Sequence, residues 1–165
     1  DKKSGWVVDY NGMVRSLRTA ARAGTTLPFA LEVEGIFRGQ VTVGGVHLGS
    51  LRGAHIGYWI DREVAGNGYM PLAVAMATDH CFGAGLHRIE INIRPENAPS
   101  IRVVEKLEFR YEGLRERYLH IDGQWRDHVS YALTIDEVPG SLAERFLATR
   151  ANTPRQIPDT PGNRP

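Results

Sequence analysis

The chain has 165 residues, 42% hydrophobic and 24% charged, and its 20 Lys and Arg nearly balance 19 Asp and Glu, for a net charge of +1. These proportions suit one soluble domain with a single core. They exclude a membrane span, which needs roughly 18 consecutive apolar residues, and any general pull toward nucleic acid or a membrane surface, so anion binding has to be local. The lone Cys81 cannot form an internal disulfide and no signal peptide is visible, which favours a reducing cytoplasm. The chain opens on Asp1 rather than a methionine, so an N-terminal part is expected to be missing.

In chain order, residues 9–23 carry Met13, Leu17 and Ala20 at helical spacing and end at Gly24, which predicts a helix with a glycine stop. Residues 28–33 and 39–46 are β-rich on either side of Glu34-Gly35, an antiparallel hairpin, and Gly44-Gly45 suggests a bulge. A further strand is expected over 52–60 and a helix over 71–82, with Leu72, Ala75, Met76 and Asp79 at helical spacing and Cys81 in the core pattern. Arg88-Ile-Glu-Ile-Asn-Ile-Arg94 alternates with period 2, so it is a strand, and a helix between two strands implies a parallel crossover. Asn97 can cap a helix over 98–107, with Pro99 tolerated in its first turn. Strands over 109–121 and 124–135 meet at Asp122-Gly123, a strong hairpin signal, and 139–150 reads as a last helix. Residues 151–165 hold four prolines and almost no large apolar residue, so they are expected to form a disordered tail after a single domain over 1–150.

The informative stretch is Ile56-Gly-Tyr-Trp-Ile-Asp-Arg-Glu-Val-Ala-Gly-Asn-Gly-Tyr-Met-Pro-Leu-Ala73. A strand runs into a glycine turn and then a helix start. The first N–H groups of a helix have no partner inside it and the helix dipole adds positive potential, so such a turn can hold a phosphate, and glycine lets the ligand approach the backbone. A Rossmann nucleotide binder would need a third glycine where Pro71 stands and an acidic end to the next strand, which instead ends in Arg94.

At this turn, at Arg94-Pro-Glu-Asn-Ala-Pro-Ser-Ile-Arg-Val-Val-Glu-Lys-Leu-Glu-Phe109, and at Glu112-Gly-Leu-Arg-Glu-Arg-Tyr118 with Gly123-Gln-Trp-Arg-Asp-His-Val-Ser-Tyr131, the chain resembles the GNAT superfamily of N-acetyltransferases. The last pair of segments is similar to the branch that acetylates ribosomal-protein N-terminal alanines. The resemblance implies a mixed α/β fold with a mostly antiparallel central sheet, flanking helices and one splayed parallel strand pair. It also implies acetyl-CoA as co-substrate, its pantetheine arm along Trp59, Ile60 and Asp61 and its pyrophosphate on the amides of Ala65, Gly66, Asn67, Gly68, Tyr69 and Met70. Where the family's turn usually has Gln or Arg this chain has Ala65; where it has a small residue, Met70; and Glu108 replaces a glycine.

For catalysis the resemblance points to Asn97, which also bonds the cofactor near its sulfur, and to Ser100, whose hydroxyl would donate to the leaving thiolate. Many relatives use a tyrosine one turn later, where this chain has Val104. His55 stands where the branch often has Glu and is the candidate base, although an exposed strand histidine without a role reads the same. Arg102 and Lys106 could reach the 3′-phosphate of CoA or simply be solvated. The six histidines show no metal-ligand spacing, so no metal is expected, and no nucleophile elbow surrounds Ser50, Ser130 or Cys81. The expected activity is direct acetyl transfer to a primary amine, with a protein or peptide N-terminus as the candidate acceptor, in a monomer or homodimer that needs no nucleic acid or membrane. Two alternatives stay open: an acyl-CoA-binding module with little turnover, and an acetyltransferase of small-molecule amines.

Overall fold

The computed structural model describes residues 10–152. Four helices, α1 (Tyr10–Arg22), α2 (Tyr69–Gly83), α3 (Ala98–Lys106) and α4 (Leu142–Asn152), surround six strands, β1 (Thr26–Val33), β2 (Ile36–His47), β3 (Gly53–Ile60), β4 (Arg88–Ile93), β5 (Arg110–Ile121) and β6 (Gln124–Thr134). They form one sheet in the order β1-β2-β3-β4-β6-β5, antiparallel except for β3 and β4. The mixed α/β architecture expected from the sequence is therefore present, and both hairpins turn where they should. Asp122 and Gly123 have φ of 50° and 75°, the left-handed pair of a tight hairpin, and the register between β2 and β3 shifts between Gly44 and His47, the expected bulge.

The alternation of β4 decides which face is core. Ile89, Ile91 and Ile93 are buried with Ile56, Tyr131 and Leu133 beneath α2, α3 and α4, whereas Glu90 and Asn92 face the other side. That second face carries an ion-pair ladder in which Arg88 joins Glu90 to Glu112, Arg110 joins Glu112 to Glu137, and Arg115 reaches Glu90 at 2.9 Å. The Arg88 guanidinium above all holds the Glu112 carboxyl down at about 2.

Several local expectations are corrected. α2 begins two residues before Pro71 and buries Met70, Pro71, Val74, Ala75, Ala77, Thr78, Cys81 and Phe82. Of the residues at helical spacing, Ala75 is buried and Leu72 packs against the core, whereas Met76 is exposed. Asp79 instead accepts hydrogen bonds from the Leu142 N–H at 2.8 Å, the Ala143 N–H at 3.0 Å and the Ser141 hydroxyl at 2.7 Å, capping α4. Met13 of α1 is exposed as well, because that helix packs chiefly on the edge strand β1. The last helix starts at Leu142 rather than 139, after a short 3-10 turn over Ile135–Glu137, and takes in Ala151 and Asn152. The remainder of the expected tail and residues 1–9 lie outside the described residues. No helix among the described residues is long and apolar enough to cross a membrane.

Candidate active site

β3 and β4 pair at three positions only, Gly53 with Arg88, Ala54 with Ile89 and His55 with Glu90. Beyond them β3 stays on β2 as far as Ile60 opposite Gly39, and β4 stays on β6 as far as Ile93 opposite Val129. The two strands thus part from Ile56 onward, and backbone groups on the facing edges lack strand partners. A cleft of about 620 Å³ opens there between β3, the glycine turn and α3. It is lined by Tyr58, Trp59, Ile60, Ala65, Gly66, Gly68, Met70, Asn97, Ser100 and, as its charged groups, Arg62, Arg102 and Lys106, with no carboxylate. That lining suits a ligand carrying several negative charges.

The glycine turn is built as an anion cradle. Gly66 and Gly68 have φ of +84° and +82°, conformations that side chains with a Cβ avoid. Among the described residues, the amides of Gly66, Asn67, Gly68, Tyr69 and Met70 donate to no backbone carbonyl or side chain; the first α2 bond runs from the Leu72 N–H to the Gly68 carbonyl. A row of unpartnered N–H groups at a helix start favours a phosphate. Ala65 differs, since its N–H is taken by the Arg62 carbonyl at 3.3 Å. Met70 is 4% exposed, so its side chain belongs to the core and does not fill the turn.

Three predicted cofactor residues do not line the cleft. Asp61 caps the 3-10 turn Arg62–Val64 by accepting from the Glu63 N–H at 3.0 Å, and it pairs with Arg38 at 2.7 Å; the Glu63 bond first and Arg38 second lower its pKa. Its own N–H is used by the Arg38 carbonyl. The Asn67 side chain donates to the Val64 carbonyl at 3.1 Å, and the Tyr69 ring is partly exposed outside the cleft. Asn67 and Tyr69 can offer the backbone only. Trp59 lines the cleft while packing edge-on against Phe37.

Asn97 is the N-cap of α3, its Oδ1 accepting from the Ser100 N–H at 3.2 Å. The Tyr58 hydroxyl donates to the Ser100 carbonyl at 3.0 Å, tying α3 to β3 across the cleft. Burial pushes the Tyr58 phenol strongly up, so it stays a donor. Val104 is fully buried in the core. Glu108 adopts the left-handed conformation expected of the glycine it replaces, φ +59°, at a cost of about 1 kcal/mol.

Tyr58, Asn97 and Ser100 also line a second cavity, of about 230 Å³, that lies where the strands part and includes Gly57, Asn92 and His128. Ser100 and Asn97 therefore stand at the junction of the two spaces. His55 does not join them. It lies where β3 and β4 are still paired, against the Gly44-Gly45 bulge, and lines a separate hollow with Arg88 and Glu90. The candidate base is thus separated from the candidate acid by the partition of the sheet. Arg62, His128 and Arg150 went unnoticed in the sequence. Arg150 comes from α4: its guanidinium lies over the Phe146 ring and against Gly68, where an added Cβ would meet Nη1 at 2.5 Å. Cys81 is buried, its thiol pushed up to about 11 by that burial, which makes it a core residue and not a nucleophile.

The model of the acetyltransferase (GNAT) domain matches residues 6–110. The chain is 35% identical over 147 residues to the [ribosomal protein uS5]-alanine N-acetyltransferase of Escherichia coli (strain K12), covering 83% of this chain and 71% of that one. It is 38% identical over 96 residues to YjcK of Bacillus subtilis (strain 168), described as a probable N-acetyltransferase, covering 58% of this chain and only 53% of that protein. The chain thus spans about half the length of the second relative. Among solved structures, that of Mycobacterium smegmatis RimJ in complex with CoA-disulfide superposes with a TM-score of 0.82 at 47% identity, over 86% of this chain and 68% of that one.

Proposed function

The chain belongs to the GNAT family of acetyltransferases, and on that premise we propose that it moves acetyl from acetyl-CoA directly to a primary amine, by preference the N-terminal α-amine of a protein or peptide. The observation that carries this reading is the junction at Ser100. A cleft with three cations and a row of free turn amides leads to it from one side, and a small cavity leads to it from the other. The donor substrate fits the first space: the amides of Gly66 to Met70 and the charges of Arg62, Arg102 and Lys106 suit its phosphates, and the parted strand edge at Tyr58 to Ile60 suits its amide-bearing arm. The amine enters from the second space. Ser100 would donate its proton to the leaving thiolate, and Asn97 would hold the turn that presents it.

The acceptor follows from proton chemistry and kinship. An α-amine, with a pKa of about 7.7–8.0, is partly neutral near physiological pH, whereas a lysine near 10.4 is about one part in a thousand neutral. A relative named as a [ribosomal protein uS5]-alanine N-acetyltransferase supports the same choice. The test is a competition between a peptide with a free N-terminal Ala or Ser and its N-blocked, lysine-containing counterpart, scored by mass spectrometry for the acetylated nitrogen. Labelling of the lysine would overturn the acceptor, and CoA binding without transfer to any amine would leave an acyl-CoA-binding module.

A further inference from the structure

We infer that His128 of β6, and not His55, is the base that takes the proton of the attacking amine, an assignment that rests on the proposed acetyl transfer. Three observations meet on this side chain. It is 3% exposed, one of few buried polar residues among the described residues. It lines the cavity that Asn97 and Ser100 share, where the strands part. Its Nδ1 lies 3.1 Å from the Arg126 carbonyl oxygen. A carbonyl oxygen only accepts, so Nδ1 carries a hydrogen, and the neutral ring then has its lone pair on Nε2.

Nε2 has no hydrogen-bond partner among the described residues, and the neighbouring polar groups are already engaged. The Ser130 hydroxyl donates to Asn92 Oδ1 at 2.5 Å. Arg115, opposite His128 on β5, is bound to Glu90 and to the Tyr118 hydroxyl. The Tyr118 ring packs edge-on against the imidazole at 5.8 Å between centroids and limits its rotation. Arg94 lines the same cavity and is paired with the Glu96 carboxylate.

The step balances within the chain. The amine nitrogen bonds to the thioester carbon, the carbon–sulfur bond breaks, and the proton lost by nitrogen goes to Nε2. The thiolate receives the Ser100 proton; the imidazolium returns its own through solvent to restore the serine, so one amide and one thiol result from one amine and one thioester.

The variant His128→Asn keeps a side-chain N–H that can reach the Arg126 carbonyl but has no counterpart of Nε2; His128→Ala removes both. With an Ala-N-terminal peptide, both should lose roughly 10²–10⁴-fold in kcat/KM while CoA affinity by calorimetry stays within about twofold, and added imidazole should restore part of the rate of His128→Ala. Should His128→Ala fail to fold, His128→Asn carries the comparison. Independently of turnover, ring-nitrogen NMR of the free protein should find the Nδ1–H tautomer. An active wild type whose His128→Asn variant keeps its rate, or an Nε2–H tautomer, overturns the assignment while leaving the proposed function intact. A wild type that binds CoA and acetylates no amine overturns the proposed function, and this assignment falls with it.

Discussion

Replacing Gly68 by alanine tests the anion cradle at its tightest point. Gly68 is the N-cap of α2 with φ +82°, and a left-handed conformation costs a residue with a Cβ about 1–2 kcal/mol. The new carbon would stand 2.5 Å from Nη1 and 2.8 Å from Cζ of Arg150. That guanidinium is the end of a flexible side chain, so it should swing away rather than distort the helix. Gly66 is the control, because it has φ +84° but nothing within 4 Å of an added Cβ. Both alanine variants should lose about 1–2 kcal/mol in urea unfolding, or about 2–8 °C in Tm for a chain of this size. Gly68→Ala should also weaken CoA binding about 10- to 100-fold more than Gly66→Ala, the equivalent of one charge-assisted hydrogen bond. Combining each glycine variant with Arg150→Ala closes the cycle, and in that background the two should bind CoA alike. Calorimetry with CoA reads the affinity. A Gly68→Ala protein with wild-type stability and affinity would refute both the backbone constraint and the expectation that the Arg150 guanidinium, packed against Gly68, contributes to CoA binding.

Ser100→Ala should lower turnover roughly 10²-fold with little change in CoA affinity, since a proton given to the leaving group acts mainly in the transition state; unchanged turnover would leave Ser100 a first-turn helix residue. Asp79→Ala removes the acceptor for the Leu142 and Ala143 amides and the Ser141 hydroxyl and should cost about 1–2 kcal/mol, with α4 the first segment cut in limited proteolysis. Glu112 is held at about 2, mainly by Arg88, below its ordinary 4.5. Its contribution is therefore complete above pH 4.5 and lost as pH falls toward 2. The Tm should drop across that window, and Glu112→Gln should start from a lower Tm at neutral pH and show a smaller drop; an identical acid profile would exclude Glu112 as a source of it.

Features set by neighbours in the chain were legible from the sequence alone. The isoleucine alternation of β4, the Asp122-Gly123 turn, the Asn97 cap and the glycine turn before α2 each depend on a few adjacent residues, whose backbone preferences and side-chain periods act locally. The left-handed cap at Glu108 follows from the glycine it replaces, whereas the departure at Met70 could be noticed but not weighed, because its burial depends on packing. The sequence offers His55 as the candidate base by resemblance and gives no ground for weighing His128 against it. His55 and His128 are both strand histidines on the same face of the sheet, and the difference between them is that β4 leaves β3 just after His55 meets Glu90, so the cavity beside Ser100 opens against His128. Arg150 at Gly68 and Asp79 at the start of α4 are contacts of the same kind, made between helices distant in sequence. Local periodicity fixes which face a side chain takes, but which remote group it meets is decided only when the sheet order and helix packing bring separate elements together.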